Sequence, residues 1–134
     1  MGYGRGLGAG PASLSVVLTR GLSEARRLLP TLGGRPDTID GLAGVGDLLA
    51  VAARDARPEA RRGEALAAGQ SVVEAGRMAG AYIEGLTIGR RVAAHAERAH
   101  VEVPVARAMA QVIAGELAGE AAVKALMARQ AGRE

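Results

Sequence analysis

Leu14, Val17, Leu18, Gly21, Leu22, Ala25, Leu28 and Leu29 succeed one another in steps of three and four, which draws one apolar stripe along a helix. No other pattern in the chain competes with this one. No segment alternates with period two over strand length, except the brief Val101-Glu102-Val103 before Pro104. The chain has no Phe or Trp and two Tyr, so its core must come from Leu, Val, Ile, Met and many Ala. Ala is the best helix former, and small side chains favour close helix packing. With 134 residues and 49% hydrophobic content, the expectation is all-α: a compact multi-helix bundle in one domain, residues 1–134.

Glycine and proline set the boundaries within that bundle. Gly2 to Gly10 alternates glycine with other residues without giving G-x-G-x-x-G after a strand, so residues 1–12 read as a glycine-rich loop and 13–130 as helices. Arg20, Ser23, Glu24 and Arg27 lie off the first stripe. Pro30 and Gly33-Gly34 stop that helix, Pro36-Asp37-Thr38 starts a short one, and Pro58 suits the start of a helix from Glu59 to Ala68. Ser71 with Glu74 has capping-box spacing for a helix to Met78. Glu84-Gly85 precedes a longer helix in which Ile88, Val92 and His95 share a face. Pro104 opens a helix with Val105, Met109 and Val112 inward, and Gly119 to Gln130 closes the chain with Val123, Leu126 and Met127.

Several chemistries are excluded by what is missing. The chain lacks Cys, which removes disulfides, thiolate metal sites and cysteine nucleophiles and suits a reducing cytoplasm. Its net charge of +3 and pI near 10.2 come almost wholly from arginine, with Lys124 as the single lysine. These arginines are scattered and no aromatic platform lies between them, so no nucleic-acid partner is expected. No run approaches the roughly 20 apolar residues of a membrane span. His95 and His100 stand five apart with no third ligand placed beside them, so no metal is expected and both read as packed or solvated.

One stretch stands out as a site candidate. Gly41-Leu42-Ala43-Gly44-Val45-Gly46-Asp47-Leu48-Leu49 spaces three glycines through an apolar run and delivers one carboxylate. Two roles suit Asp47: a cap for a helix from Leu48 to Ala53, or a ligand-facing acid. Arg61 and Arg62, near a helix start, could hold a phosphate through guanidinium forks and backbone amides, or lie on a solvated face.

These motifs in this order resemble the C-terminal helical domain of bacterial NAD(P)-dependent glycerol-3-phosphate dehydrogenase. Leu18 to Leu22 is similar to the family's L-I-T-R-G helix, and Gly33 to Leu48 to its G-x-x-P-x-T-x-x-G-L-A-G-L-G-D-L block. Arg61-Arg62-Gly63-Glu64 resembles the end of S-R-N-R-R-F-G-E, Glu84-Gly85 the family's E-G, and Val101 to Val105 its V-E-M-P-I. The resemblance implies a domain that supplies substrate contacts beside a Rossmann domain, in an enzyme interconverting dihydroxyacetone phosphate and sn-glycerol 3-phosphate. It places Asp47 at the substrate-site aspartate and Glu84 at a cofactor contact. Arg57 and Arg61 become candidates for the substrate phosphate.

The departures from the family pattern are equally specific. The nucleotide-binding domain and the catalytic lysine of K-N-V are not in this sequence, and a second family lysine and its asparagine fall on Leu14 and Ala12. Counted from Asp47 without a gap, S-R-N falls on Arg57, Pro58 and Glu59, which changes the local sign toward a phosphate. The expectation is therefore a helical domain that is inactive alone, using NAD or NADP only where a partner Rossmann domain supplies the binding site, and forming a homo-oligomer or pairing with that domain. The alternative is a diverged, non-catalytic interaction module.

Overall fold

In the computed structural model, which describes residues 1–52, 57–80 and 85–129, eight α-helices are joined by short 3-10 and π turns, and no strand occurs among the described residues. The helices are α1 (Gly2–Gly6), α2 (Pro11–Leu28), α3 (Asp47–Ala52), α4 (Pro58–Ala67), α5 (Val72–Ala79), α6 (Gly85–Arg98), α7 (Pro104–Ala114) and α8 (Gly119–Ala128). No helix among the described residues is long and apolar enough to cross a membrane.

Punctuation works as the residue types dictate. Pro11, Pro58 and Pro104 each occupy the first turn of a helix, where the missing N–H is no loss. Ser71 and Glu74 form the reciprocal capping box at α5. Pro30 sits in a 3-10 turn, Leu29–Leu32, that tightens the end of α2 before Gly33 turns the chain at φ 80°. Helix α6 ends with His100 at φ 55°: the Val101 N–H reaches the Ala96 carbonyl and the His100 N–H the Glu97 carbonyl.

Two expectations are corrected, for residues 2–6 and for Met109. Residues 2–6, read as part of a loop, form α1. Gly2 and Gly6 lie four apart on one face, and a Cβ at either would run into Ala60 or into Glu64 and Ala67 of α4. Conversely, a Cβ at Gly63 would strike the Tyr3 amide. The alternating glycines thus permit a near-touching parallel helix pair, and packing overrides poor helix propensity. Val101-Glu102-Val103 is a connector, with Val103 only 2% exposed. Met109, expected inward, stands at the surface, because α7 turns Ala106 toward the cluster of Leu28, Ala96 and Val103, flanked by Val92 and Val101.

The largest surprise concerns α2. Arg20 and Glu24, off its apolar stripe, are 8% and 3% exposed. Each serves the end of another helix. The Arg20 guanidinium donates to the Leu126 carbonyl and, at 2.8 Å, to that of Arg129 at the close of α8. Glu24 accepts from the Val105 N–H at 2.5 Å and the Ala106 N–H at 3.0 Å at the start of α7. Helix α2 therefore organises the bundle through two charged side chains that satisfy otherwise orphaned backbone groups.

Candidate functional site

The glycine stretch forms a π turn, Leu42–Gly46, that runs directly into α3. Only one of its glycines is demanded by space. A Cβ at Gly44 would overlap the Ile39 carbonyl, so Gly44 lets this turn press against the 3-10 turn Pro36–Asp40. That 3-10 turn is tied in turn to α2, through Arg26 to Asp40 at 2.6 Å and Arg26 to Asp37 at 3.9 Å. The scaffold under Asp47 is thus fixed from two sides.

Asp47 itself has φ −65° and ψ −38°, a helical conformation that excludes the N-cap role, which needs extended backbone. Its carboxylate faces outward and meets the Arg57 guanidinium at 3.5 Å; the two side chains are 63% and 37% exposed. Arg57 is the N-cap residue of α4, with extended backbone and no side-chain cap, so its own side chain is available to reach α3. Arg61 follows one turn along α4, exposed and without a side-chain partner among the described residues. Glu59 lies exposed in the first turn between them. Three expected residues, Asp47, Arg57 and Arg61, therefore gather at one end of α4, whereas Glu84 lies outside the described residues.

Other residues singled out by the sequence make packing and backbone contacts. Leu14 packs against α1, close enough that a Cβ at Gly4 would fall 2.9 Å from its Cδ2. His95 Nε2 lies 2.8 Å from Thr31 Oγ1, whose hydroxyl donates to the Leu28 carbonyl at 2.7 Å. The imidazole is thereby the donor to Thr31. No cluster of three metal-ligating side chains occurs among the described residues. Burial pushes the Glu24 carboxyl above its ordinary range, opposed by the two amides it accepts from and by Arg27 and Arg129. Sequence periodicity did not mark Arg20 and Glu24 as buried. Their only signal is the four-residue spacing that lines them up with buried Leu28.

A comparison with family models decides the affiliation: the model for the NAD-dependent glycerol-3-phosphate dehydrogenase C-terminus matches residues 1–124. The chain belongs to this family. Relatives named glycerol-3-phosphate dehydrogenase (NAD(P)+) include one from Polynucleobacter asymbioticus, 41% identical over 128 residues, and one from Cupriavidus pinatubonensis, 41% identical over 133 residues. These matches take in 96% and 99% of this chain. The chain spans 38% of the length of these curated relatives. A solved glycerol-3-phosphate dehydrogenase from Coxiella burnetii superimposes with a TM-score of 0.88 at 34% identity, over 96% of this chain and 39% of that one. The all-α domain is thus the C-terminal domain of the glycerol-3-phosphate dehydrogenase family, whose members are NAD(P)-dependent.

Proposed function

We propose that this domain supplies the substrate side of a glycerol-3-phosphate dehydrogenase, acting on dihydroxyacetone phosphate and sn-glycerol 3-phosphate beside a nucleotide-binding domain. The observation that carries the reading is the meeting of Asp47 and Arg57 at 3.5 Å, with Arg61 one turn along. Two guanidinium groups suit a phosphate dianion, and a carboxylate within reach of one of them suits the hydroxyl end of a three-carbon substrate. The residues described do not by themselves fit a dinucleotide, which is cradled at a glycine turn between a strand and a helix, and they include no strand. NAD or NADP is therefore assigned to the partner domain, with Glu84 proposed as a contact from this side. A cytoplasmic location and self-association belong to the same proposal.

The test joins residue 1 of this chain to the N-terminal portion of the Cupriavidus relative and follows NADH absorbance with dihydroxyacetone phosphate. The fusion should turn over and the chain alone should not; turnover by the chain alone would sink the reading. Asp47→Asn in the fusion should lower turnover by about 100-fold or more, the scale of a positioned acid–base group.

A second reading is favoured by Leu14, which fills space against α1, and by Glu59 at the start of α4. It makes the domain a non-catalytic interaction module. Calorimetric titration of the fusion with sn-glycerol 3-phosphate separates the two, since micromolar binding is incompatible with a lost site.

A further inference from the structure

On the side of α2 turned away from the Asp47 turn, the bundle holds a second opening. Leu18 and Leu22 of α2 face Val45, Leu48 and Leu49. Arg20 and Glu24, two positions further on and so about 200° round the helix, reach instead to the ends of α8 and α7. Between α7, α8 and the end of α6 lies a cleft of about 560 Å3. That falls within the range of small-molecule sites, roughly 300–1,000 Å3. Its floor is Ala96, Val103, Ala122 and Leu126, none more than 8% exposed. Alanine is the cause of the opening. Ala108 of α7 and Ala122 and Ala125 of α8 stand where these helices face each other, and side chains so short cannot close the gap.

The rim is polar, and its charges are unevenly satisfied. Glu102 and Arg129 neutralise each other at 3.3 Å. Glu97 on α6 and Arg107 on α7 line the same cleft, and neither exposed side chain has a partner among the described residues. His100 adds a third polar group in an unusual position. The left-handed residue that follows α5, α7 and the 3-10 turn Leu29–Leu32 is glycine each time, Gly80, Gly115 and Gly33, whereas after α6 it is His100 at φ 55°. A side chain is disfavoured in that conformation, and this one sits at the cleft. Gln111, one turn along α7 from Arg107, adds an amide that both donates and accepts.

We propose that this cleft between α6, α7 and α8 binds a small zwitterion with an apolar body, the chemistry of a free apolar amino acid. The body lies on the floor of alanine, valine and leucine and supplies the contacts that the helix pair lacks. The ligand's carboxylate takes the Arg107 guanidinium, whose forked N–H groups match two oxygens, and its ammonium takes Glu97. His100 and Gln111 complete the rim as hydrogen-bonding groups. A simple anion would meet the unpaired Glu97 and a simple cation the unpaired Arg107. A ligand carrying both signs satisfies both, which is where the selectivity comes from. The cleft shares no residue with Asp47, Arg57 and Arg61, so the proposal stands apart from the functional reading above.

The test is calorimetric titration of the chain with three probes that share one body: L-phenylalanine, 3-phenylpropionate, which lacks the ammonium, and 2-phenylethylamine, which lacks the carboxylate. L-Phenylalanine should bind with a Kd of about 1 mM or tighter, and each single-charge probe at least tenfold more weakly. Arg107→Gln should weaken L-phenylalanine at least tenfold and not weaken 2-phenylethylamine; Glu97→Gln should weaken L-phenylalanine as much and not weaken 3-phenylpropionate. Both positions are exposed, so both variants should keep the parent's helical circular dichroism. Ala125→Leu, which narrows the cleft, should abolish binding of all three probes. No binding of L-phenylalanine, or binding unmoved by Arg107→Gln and Glu97→Gln, overturns the proposal. So does 3-phenylpropionate binding as tightly as L-phenylalanine, which would make the cleft a site for a simple anion. Binding that appears only once residues 130–134 are removed assigns the cleft to the segment after α8 and overturns it as well.

Discussion

Glu24 shows how much one side chain can carry in a domain with a thin core. It is 3% exposed and accepts from two backbone amides at the start of α7. Truncation leaves both amides orphaned, so Glu24→Ala should cost about 2–4 kcal/mol, read as a lower urea midpoint. Burial raises the Glu24 carboxyl pKa in the folded state, so the native protein holds this proton more tightly than the unfolded chain. The group's contribution to stability is greatest below the ordinary glutamate range and is lost as pH rises through the raised value. Urea titrations stepped across that window should show the decline, and Glu24→Gln should abolish it. Asp47 and Arg57 are the opposite case. An exposed pair is worth about 0–1 kcal/mol, so Asp47→Asn and Arg57→Gln should move stability by no more than about 0.5 kcal/mol. In the fusion the same changes should weaken sn-glycerol 3-phosphate binding at least tenfold by calorimetry, which separates a binding role from a structural one. The two kinds of charged residue were not equally legible. Asp47 was marked by its glycine block and its resemblance, whereas Arg20 and Glu24 look like solvated charges until two helix ends are found against them.

At the scale of elements, the boundaries were legible wherever a residue type forces the backbone. Proline at the starts of α4 and α7 and the Ser71–Glu74 box act locally, so sequence alone places them. Helix α1 was illegible because its cause is remote: glycines that are poor helix formers are held helical by the neighbour they allow to approach. The same distinction sorts the glycines of the π turn. Gly44→Ala drives a methyl into the Ile39 backbone and should destabilise by about 1–3 kcal/mol, with loss of the Asp47 position. Gly41→Ala meets nothing closer than the Thr38 carbonyl oxygen at 3.7 Å and should be nearly neutral. Gly21, inside α2 with no atom within 4 Å of where an added methyl would stand, is a third case: Gly21→Ala should stabilise by about 0.5–1 kcal/mol. Thermal melts of the three variants, monitored by helical circular dichroism, check the order Gly21→Ala above Gly41→Ala above Gly44→Ala.

For the whole molecule, the buried hydrophobics among the described residues are mostly alanines, with Leu28, Val103 and Leu126 the larger side chains, while Leu42 of the π turn and Leu49 of α3 stand largely in water. That division makes the effect of one substitution depend on context. In the isolated chain Leu42 is 91% exposed, so Leu42→Ser removes little from the folded state and should change stability by less than about 0.5 kcal/mol. In the fusion the same change should forfeit roughly 1.5–3 kcal/mol where the nucleotide-binding portion buries that leucine. The contrast does not depend on absolute stabilities, because each variant is compared with its own parent by urea denaturation of the helical signal. Equal losses in both settings would place Leu42 inside the domain's own packing; no loss in either would leave that leucine uncovered in the complete enzyme. A loss confined to the fusion is the outcome expected where Leu42 is buried only beside the nucleotide-binding portion.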